Sequence, residues 1–134
     1  MMTATLTSPQ PDTVVCTVTG DVDKATAPAL SDKVAEAIRD ARPHLVIDLS
    51  RVAFFGSSGL RVLLMALNSY NNGDHVALVV GANRRVAVPL RITALDQAFD
   101  LHHDLDQALR ACSAAATGRK LADRESADRE SADL

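Results

Sequence analysis

The stretch HLVIDLSRVAFFGSSGLRVLLMALNSY, residues 44–70, decides the fold class of this chain. It begins with residues 44–49, whose uninterrupted apolar centre is typical of a strand that is buried on both faces. Residues 60–67 repeat leucine at helical spacing and predict a largely buried helix. Between the two lies Gly-Ser-Ser-Gly at 56–59. The stretch therefore predicts a strand that passes into a helix through a turn carrying two hydroxyl groups.

The same alternation of strand and helix continues on both sides of this stretch. Turns are expected at 8–12, which holds two prolines, and at 20–23, where the second strand ends. The pattern predicts an α/β fold: a single domain in which about four helices pack on a mostly parallel mixed sheet of four to five strands, with an antiparallel edge strand. The predicted strands are 3–7, 14–19, 44–49, 76–80 and 98–101, and the predicted helices follow Thr26, Gly59, Asn83 and Asp104. Thr26, Asn83 and Asp104 are the expected N-caps. The second helix is expected to end at 71–74, and Pro89 is expected to limit or kink the third.

The chain divides into a domain over residues 1–116 and a tail over residues 117–134. The tail contains the pentad ADRES twice and has almost no large apolar side chains. Such a segment does not bury enough apolar surface to offset the entropy that it would lose on ordering. We therefore expect a disordered polar tail.

The composition excludes several classes of protein. A formal net charge of −3 provides no basic field for nucleic acid. No apolar run approaches the ~20 residues of a membrane span, and the start of the chain lacks the features of a signal peptide. We therefore expect a cytoplasmic protein without membrane insertion. No motif for nucleotides or metals is present and the four histidines share no ligand spacing, so no cofactor and no metal are predicted.

The two cysteines, Cys16 and Cys112, form neither a disulfide framework nor a CxxC motif, and both are expected to be buried thiols. Two further hypotheses concern them. One is a redox switch between the two thiols, and the other is a small enzyme that uses Ser57 or Cys16 as its nucleophile. Because a serine needs a general base to act as a nucleophile and no base motif lies near Ser57, we predict that the protein is not an enzyme.

The hydroxyl groups of Ser57 and Ser58 have two interpretations. A serine at the start of a helix accepts a hydrogen bond from a free backbone N–H group, so either serine could be a simple cap. The same place offers unpaired N–H groups and the positive end of a helix dipole, which stabilise an anion such as a phosphate group. The residues alone leave both interpretations open, a helix cap and a modified switch serine.

Three pieces of the sequence resemble the STAS domain family, in its branch of SpoIIAA-like anti-sigma factor antagonists. The resemblance runs from about Val14 to Ala111 and covers nearly all of the predicted domain. The pieces are the turn at 20–23, the strand at 47–50 with Val52, Phe54 and Phe55 after it, and the signature Ser-Ser-Gly-Leu at 57–60.

This resemblance implies a function. Antagonists of the family bind an anti-sigma factor, which is a GHKL-type serine kinase, and so release a sigma factor. The kinase phosphorylates the first serine of the signature, here Ser57, and a PP2C-type phosphatase removes the phosphate. ATP belongs to the kinase, so the antagonist needs no cofactor. The implied partner-binding residues are Asp21, Asp23, Lys24, Ser57, Ser58, Gly59, Leu60 and Arg61.

One position departs from the family pattern. The residue before the first serine is commonly Asp, and here it is Gly56. Loss of that carboxylate leaves an alternative open, in which partner binding persists while phosphorylation of Ser57 is slow or absent. The alternative function is therefore a STAS domain that acts as a constitutive interaction subunit, for example in a lipid-transport complex or a sensory module, without phosphorylation.

Overall fold

The structure is a computed structural model that describes residues 1–40, 42–69 and 75–112. The strands are β1 (Met2–Gln10), β2 (Thr13–Val22), β3 (His44–Phe55), β4 (His75–Val79) and β5 (Asp100–His102). The helices are α1 (Ala27–Arg39), α2 (Ser57–Asn68), α3 (Arg84–Ile92) and α4 over residues 105–112, with a 3-10 turn at Leu95–Gln97. The predicted tail and the predicted helix end at 71–74 lie outside the described residues.

The strands form one sheet in the order β1-β2-β3-β4-β5. β1 pairs with β2 in antiparallel orientation, and the other neighbours are parallel. The predicted α/β class, the antiparallel edge strand and the four helices are therefore confirmed. Among the described residues, no helix combines the length and the apolar character needed to cross a membrane.

The two faces of the sheet carry separate apolar cores. Cys16 and Ile47 face the larger core, in which α1, α2 and α3 contribute side chains such as Leu30, Leu63 and Leu90. Alternate residues of the same strands, among them Val15 and Val46, face a smaller core that α4 covers with Ala108 and Cys112. Successive side chains of a strand point to opposite faces. The continuous apolar run at 45–47 is thus explained, because its members fill both cores.

The first three strands are longer than predicted. β1 continues through Pro9 to Gln10, and the register with β2 shifts in this region, as expected for proline on an edge strand. β2 continues past residue 19 through Gly20, whose φ of +87° suits glycine, and ends at Val22, within the predicted turn at 20–23. β3 extends to Phe55 because this longer β2 supplies a partner as far as the pair Val22–Phe55.

The later elements differ from the predictions in smaller ways. α3 continues through Pro89 to Ile92, although the proline was expected to limit or kink it. The last strand begins at Asp100 rather than at residue 98, because the 3-10 turn occupies the residues before it. The caps at Asn83 and Asp104 are confirmed: their side-chain oxygens accept from the N–H groups of Arg85 and Gln107.

Asn83 also replaces a missing stretch of sheet. β4 pairs with β3 as far as Asp48, so the carbonyl groups of β3 beyond that point have no strand neighbour on this side among the described residues. The amide nitrogen of Asn83 lies 3.0 Å from the carbonyl oxygen of Leu49 and 2.8 Å from that of Val52. Asn83 therefore fixes the far half of β3 to the start of α3.

We expect Asn83→Asp to lower the free energy of unfolding by about 2 to 4 kcal/mol, because it keeps the helix cap but removes the amide donors beneath the β3 carbonyl groups. Urea unfolding measures the change. Asn68→Asp, at the exposed end of α2, is the control and should cost less than about 1 kcal/mol. Equal losses in the two variants would contradict this role of Asn83.

Candidate partner-binding site at the carboxyl edge of the sheet

The candidate site is the junction between β3 and α2. It lies at the edge of the sheet where the parallel strands have their carboxyl ends, called here the carboxyl edge. Gly56 is the N-cap of α2, in extended conformation, and Ser57 is the first helical residue. The N–H group of Gly56 donates to the carbonyl oxygen of Val22 at 2.9 Å. The carbonyl oxygen of Gly56 in turn accepts from Gly59 N at 3.0 Å and Leu60 N at 3.3 Å. The start of α2 is therefore joined to the end of the neighbouring strand β2.

The interpretation of the serines as helix caps is wrong, because Gly56 holds the cap position and has no side chain. Ser57 is exposed and Ser58 is half-buried. Among the described residues, neither hydroxyl group nor the backbone N–H group of either serine has a hydrogen-bond partner. A free hydroxyl group thus stands beside two free N–H groups at the positive end of the α2 dipole.

Gly59 lets α2 approach the sheet closely. A Cβ atom at this position would lie 2.7 Å from Phe55 Cε2 and 2.9 Å from Val22 Cγ1. Real Cβ atoms do not make contacts this short, so any side chain here would force the helix away from β2 and β3. Gly59 is therefore a packing residue of the site, and its buried position leaves it little area for contact with a partner.

Gly56 differs from Gly59. A Cβ atom at Gly56 would meet Phe54 Cε1 at 3.2 Å, but Phe54 is 52% exposed and its ring has room to shift. The backbone at Gly56 has φ −99°, which any residue adopts. The structure therefore has space for an aspartate here. The outward-facing ring of Phe54 beside Gly56 was missed at the level of sequence, although strand alternation requires one of the two adjacent phenylalanines to face outward.

The turn at 21–24 lies beside this junction and is fixed by its own side chains. The carboxylate of Asp23 accepts from Ala25 N and Thr26 N, each at 3.0 Å, and Thr26 Oγ1 donates to the carbonyl oxygen of Asp21 at 2.7 Å. Hydrogen bonding, led by the backbone N–H of Thr26, holds the pKa of Asp23 below its usual value. Asp23 therefore caps the approach to α1, where Thr26 was expected to act.

The other predicted site residues differ in exposure. Lys24 and Arg61 are exposed, and Leu60 is half-buried against the larger core. Asp21 lies 3.9 Å from the amino group of Met1 and is 47% exposed at its side chain. The structure thus brings the predicted residues together at one edge of the sheet, but only some of them offer side chains to a partner.

The thiols are poor candidates for chemistry. Burial raises the pKa of Cys16 to about 11, against the opposing effect of Lys33, and burial likewise raises the pKa of Cys112 to about 11. Both thiols therefore remain protonated near neutral pH. Cys16 belongs to the larger core and Cys112 to the smaller one, so the sheet separates them and excludes a disulfide between them in this fold. The described residues contain no cluster of side chains suited to a metal ion.

We expect Gly59→Ala to lower the free energy of unfolding by about 1 to 3 kcal/mol, because the added methyl group overlaps Phe55 and Val22. Gly56→Asp is the matched control at the other glycine of the turn. It should leave stability unchanged or raise it by a few tenths of a kcal/mol, since Asp is a good N-cap. Thermal unfolding of both variants checks this, and a tolerated alanine at 59 would contradict the close packing.

Comparison with known proteins identifies relatives of the chain. Residues 6–108 match the STAS domain. Over 96 residues the chain is 38% identical to the anti-sigma-F factor antagonist RsfB of Mycobacterium tuberculosis. The aligned region covers 71% of this chain and 77% of RsfB. A solved anti-sigma factor antagonist from Mycobacterium paratuberculosis is 33% identical with a TM-score of 0.78, over 83% of this chain and 93% of that one.

SpoIIAA shares the fold at lower identity. Its unphosphorylated form has a TM-score of 0.71 at 18% identity, over 84% of this chain and 97% of SpoIIAA. Its phosphorylated form has a TM-score of 0.64 at 17% identity, over 82% and 99%. With a domain match over most of its length and 38% identity to RsfB, this chain belongs to the STAS domain family, among the anti-sigma factor antagonists, which are regulatory proteins and not enzymes.

Proposed function

We propose that this protein binds an anti-sigma factor that is a GHKL-type serine kinase, and that binding releases a sigma factor. Phosphorylation of Ser57 by the kinase ends the interaction, and a PP2C-type phosphatase restores it. The observation that carries the proposal is the position of Ser57. It is an exposed hydroxyl group on the first residue of α2 that makes no hydrogen bond within the described residues.

The surroundings of Ser57 suit a reversible charge switch. The partner surface consists of Ser57, Ser58 and Arg61 on α2 and of Asp21 and Lys24 on the neighbouring turn. Leu60, Gly59 and Asp23 support it from below, through packing and hydrogen bonds. Because Val22 joins the turn to the helix start, the surface is held in shape before any partner binds. A rigid surface loses little conformational entropy on binding.

A phosphate group on Ser57 would add a charge of about −1.5 to −2 at neutral pH. The free N–H groups of Ser57 and Ser58 stabilise that charge in the free protein. In the complex the same dianion lies in a packed interface, where burial without a partner is costly. A penalty of roughly 3 to 4 kcal/mol would weaken binding a few-hundred-fold, enough to operate the switch.

Gly56 favours a second candidate function. The position has room for an aspartate, yet the chain carries no carboxylate there. A kinase that reads this carboxylate would phosphorylate Ser57 slowly. In that case the chain serves as a constitutive interaction subunit, for example in a lipid-transport complex or a sensory module, and its binding does not depend on Ser57.

The test uses an anti-sigma factor from the organism that encodes this chain. Titration calorimetry measures the affinity of the protein and its variants for that anti-sigma factor. We expect Ser57→Glu to weaken binding by about a hundredfold or more, because it places a fixed negative charge in the contact surface. Ser8→Glu adds the same charge at an exposed position of β1 and should bind like the unmodified protein.

Unchanged affinity of Ser57→Glu would contradict the switch and favour the constitutive subunit. Incubation with the kinase and ATP, followed by mass spectrometry of the peptide that contains Ser57, separates the two functions further. Phosphate on Ser57 supports the switch. Tight binding without phosphorylation supports the subunit.

A further inference from the structure

A second feature of the carboxyl edge is a groove beside the far half of β3. It has a volume of about 700 Å³ and lies between residues 50–53 of β3 and residues 82–85 at the start of α3. Asn83, whose amide group donates to the carbonyl oxygens of Leu49 and Val52 in β3, is part of its lining. The groove arises where β3 continues beyond the last residue with which it pairs in its neighbour β4.

The groove is strongly cationic. Arg51, Arg84 and Arg85 line it and all three are exposed, and the described residues of its lining include no carboxylate. Within the described part of the chain, none of the three arginines forms an ion pair. Three unneutralised charges in one groove are unusual for a chain whose net charge is −3. The neighbouring turn at 21–24 differs, because it carries charges of both signs.

Two of these arginines oppose the stability of their own helix. Arg84 and Arg85 occupy the first turn of α3, which holds no acidic residue. Cations at this end face the positive pole of the helix dipole, whereas Arg91 in the last turn is favourably placed. A local arrangement that works against the fold points to a functional demand. An anion bound by the arginines would remove both the mutual repulsion and the conflict with the dipole.

The form of the groove indicates which anion. Sites for small molecules are usually enclosed, whereas this groove is open and lined by three exposed guanidinium groups. Arginine binds carboxylates with paired hydrogen bonds. Ser57 follows the end of β3, and the groove lies between the far half of β3 and the helix that follows β4, so both lie at the edge where these parallel strands end.

We propose that the groove formed by Arg51, Arg84 and Arg85 receives an acidic segment of the anti-sigma factor and so contributes to the choice of partner. The identity of the partner rests on the proposed function, but the binding of an acidic peptide does not. Charged residues at the solvent-exposed rim of a protein–protein interface mainly affect the association rate and the specificity, and the three arginines would act in this way.

The first experiment uses a synthetic hexaglutamate peptide and follows the Nε–Hε resonances of the arginine side chains by NMR. We expect saturable shifts at Arg51, Arg84 and Arg85. The triple variant Arg51→Gln/Arg84→Gln/Arg85→Gln should bind about tenfold more weakly. The control triple Arg39→Gln/Arg91→Gln/Arg110→Gln removes the same charge from exposed positions outside the groove and should bind like the unmodified protein.

Equal losses in the two triple variants would overturn the proposal, because binding would then follow net charge alone. Competition with inorganic pyrophosphate gives a second decision: a groove that binds pyrophosphate and ignores the peptide is a small-anion site, which also overturns it. Circular dichroism of the groove variant checks that the fold is retained.

The second experiment uses the anti-sigma factor itself. The groove variant should lose about tenfold in affinity and show a weaker dependence on salt, whereas Ser57→Glu should lose affinity at every salt concentration. If the groove variant binds the anti-sigma factor like the unmodified protein, the groove proposal fails and the proposed function stands. If no anti-sigma factor binds the unmodified protein, the proposed function fails, and partner selection by the groove fails with it.

Discussion

The N–H group of Gly56 donates to the carbonyl oxygen of Val22 at 2.9 Å, and the geometry of the candidate site depends on this hydrogen bond. It joins the end of β2 to the start of α2, directly after Val22–Phe55, which is the last register pair of β2 and β3. Gly59 permits the same approach one turn later, where a side chain would collide with Val22 and Phe55. Ser57 therefore stands on a helix start that is held from two sides, and its hydroxyl group faces outward.

The unequal strand lengths create both features of the carboxyl edge. β3 extends beyond β4, and its far half carries the site at one end and the arginine groove along one side. Asn83 compensates for the missing strand through its amide group and begins α3 through its amide oxygen. One side chain thus stabilises the extension of β3 and positions two of the arginines. The proposed switch and the proposed selectivity are separate features that depend on the same long strand.

Features that depend on a few adjacent residues were predictable from the sequence. The run at 45–47 indicated burial on both faces, and Asn83 and Asp104 indicated helix starts, because each signal depends on a few adjacent residues. The ends of the first three strands were not predictable, since glycine and proline, here Gly20 and Pro9, usually end a strand unless a partner strand continues beside them. Pairing between distant segments decided those ends.

The candidate site was predictable in its position but not in its chemistry. The motif at 56–59 located it, and the resemblance to a family identified Ser57. The sequence could not show that Gly56 occupies the cap position, nor that Asp23 is engaged by the N–H groups of its own turn. The groove arginines are separated by more than thirty residues in the chain, from Arg51 to Arg84, so only the fold brings them together.

The central claim is that phosphate on Ser57 changes the charge of a rigid surface and leaves the fold unaltered. The most direct measurement is amide hydrogen exchange of the protein with phosphoserine incorporated at position 57, compared with the unmodified protein. The account predicts that changes in protection are confined to residues 21–26 and 54–62. Altered protection in the centre of the sheet, at residues 45–48 and 76–79, would show that the phosphate acts by rearranging the domain and would contradict the account.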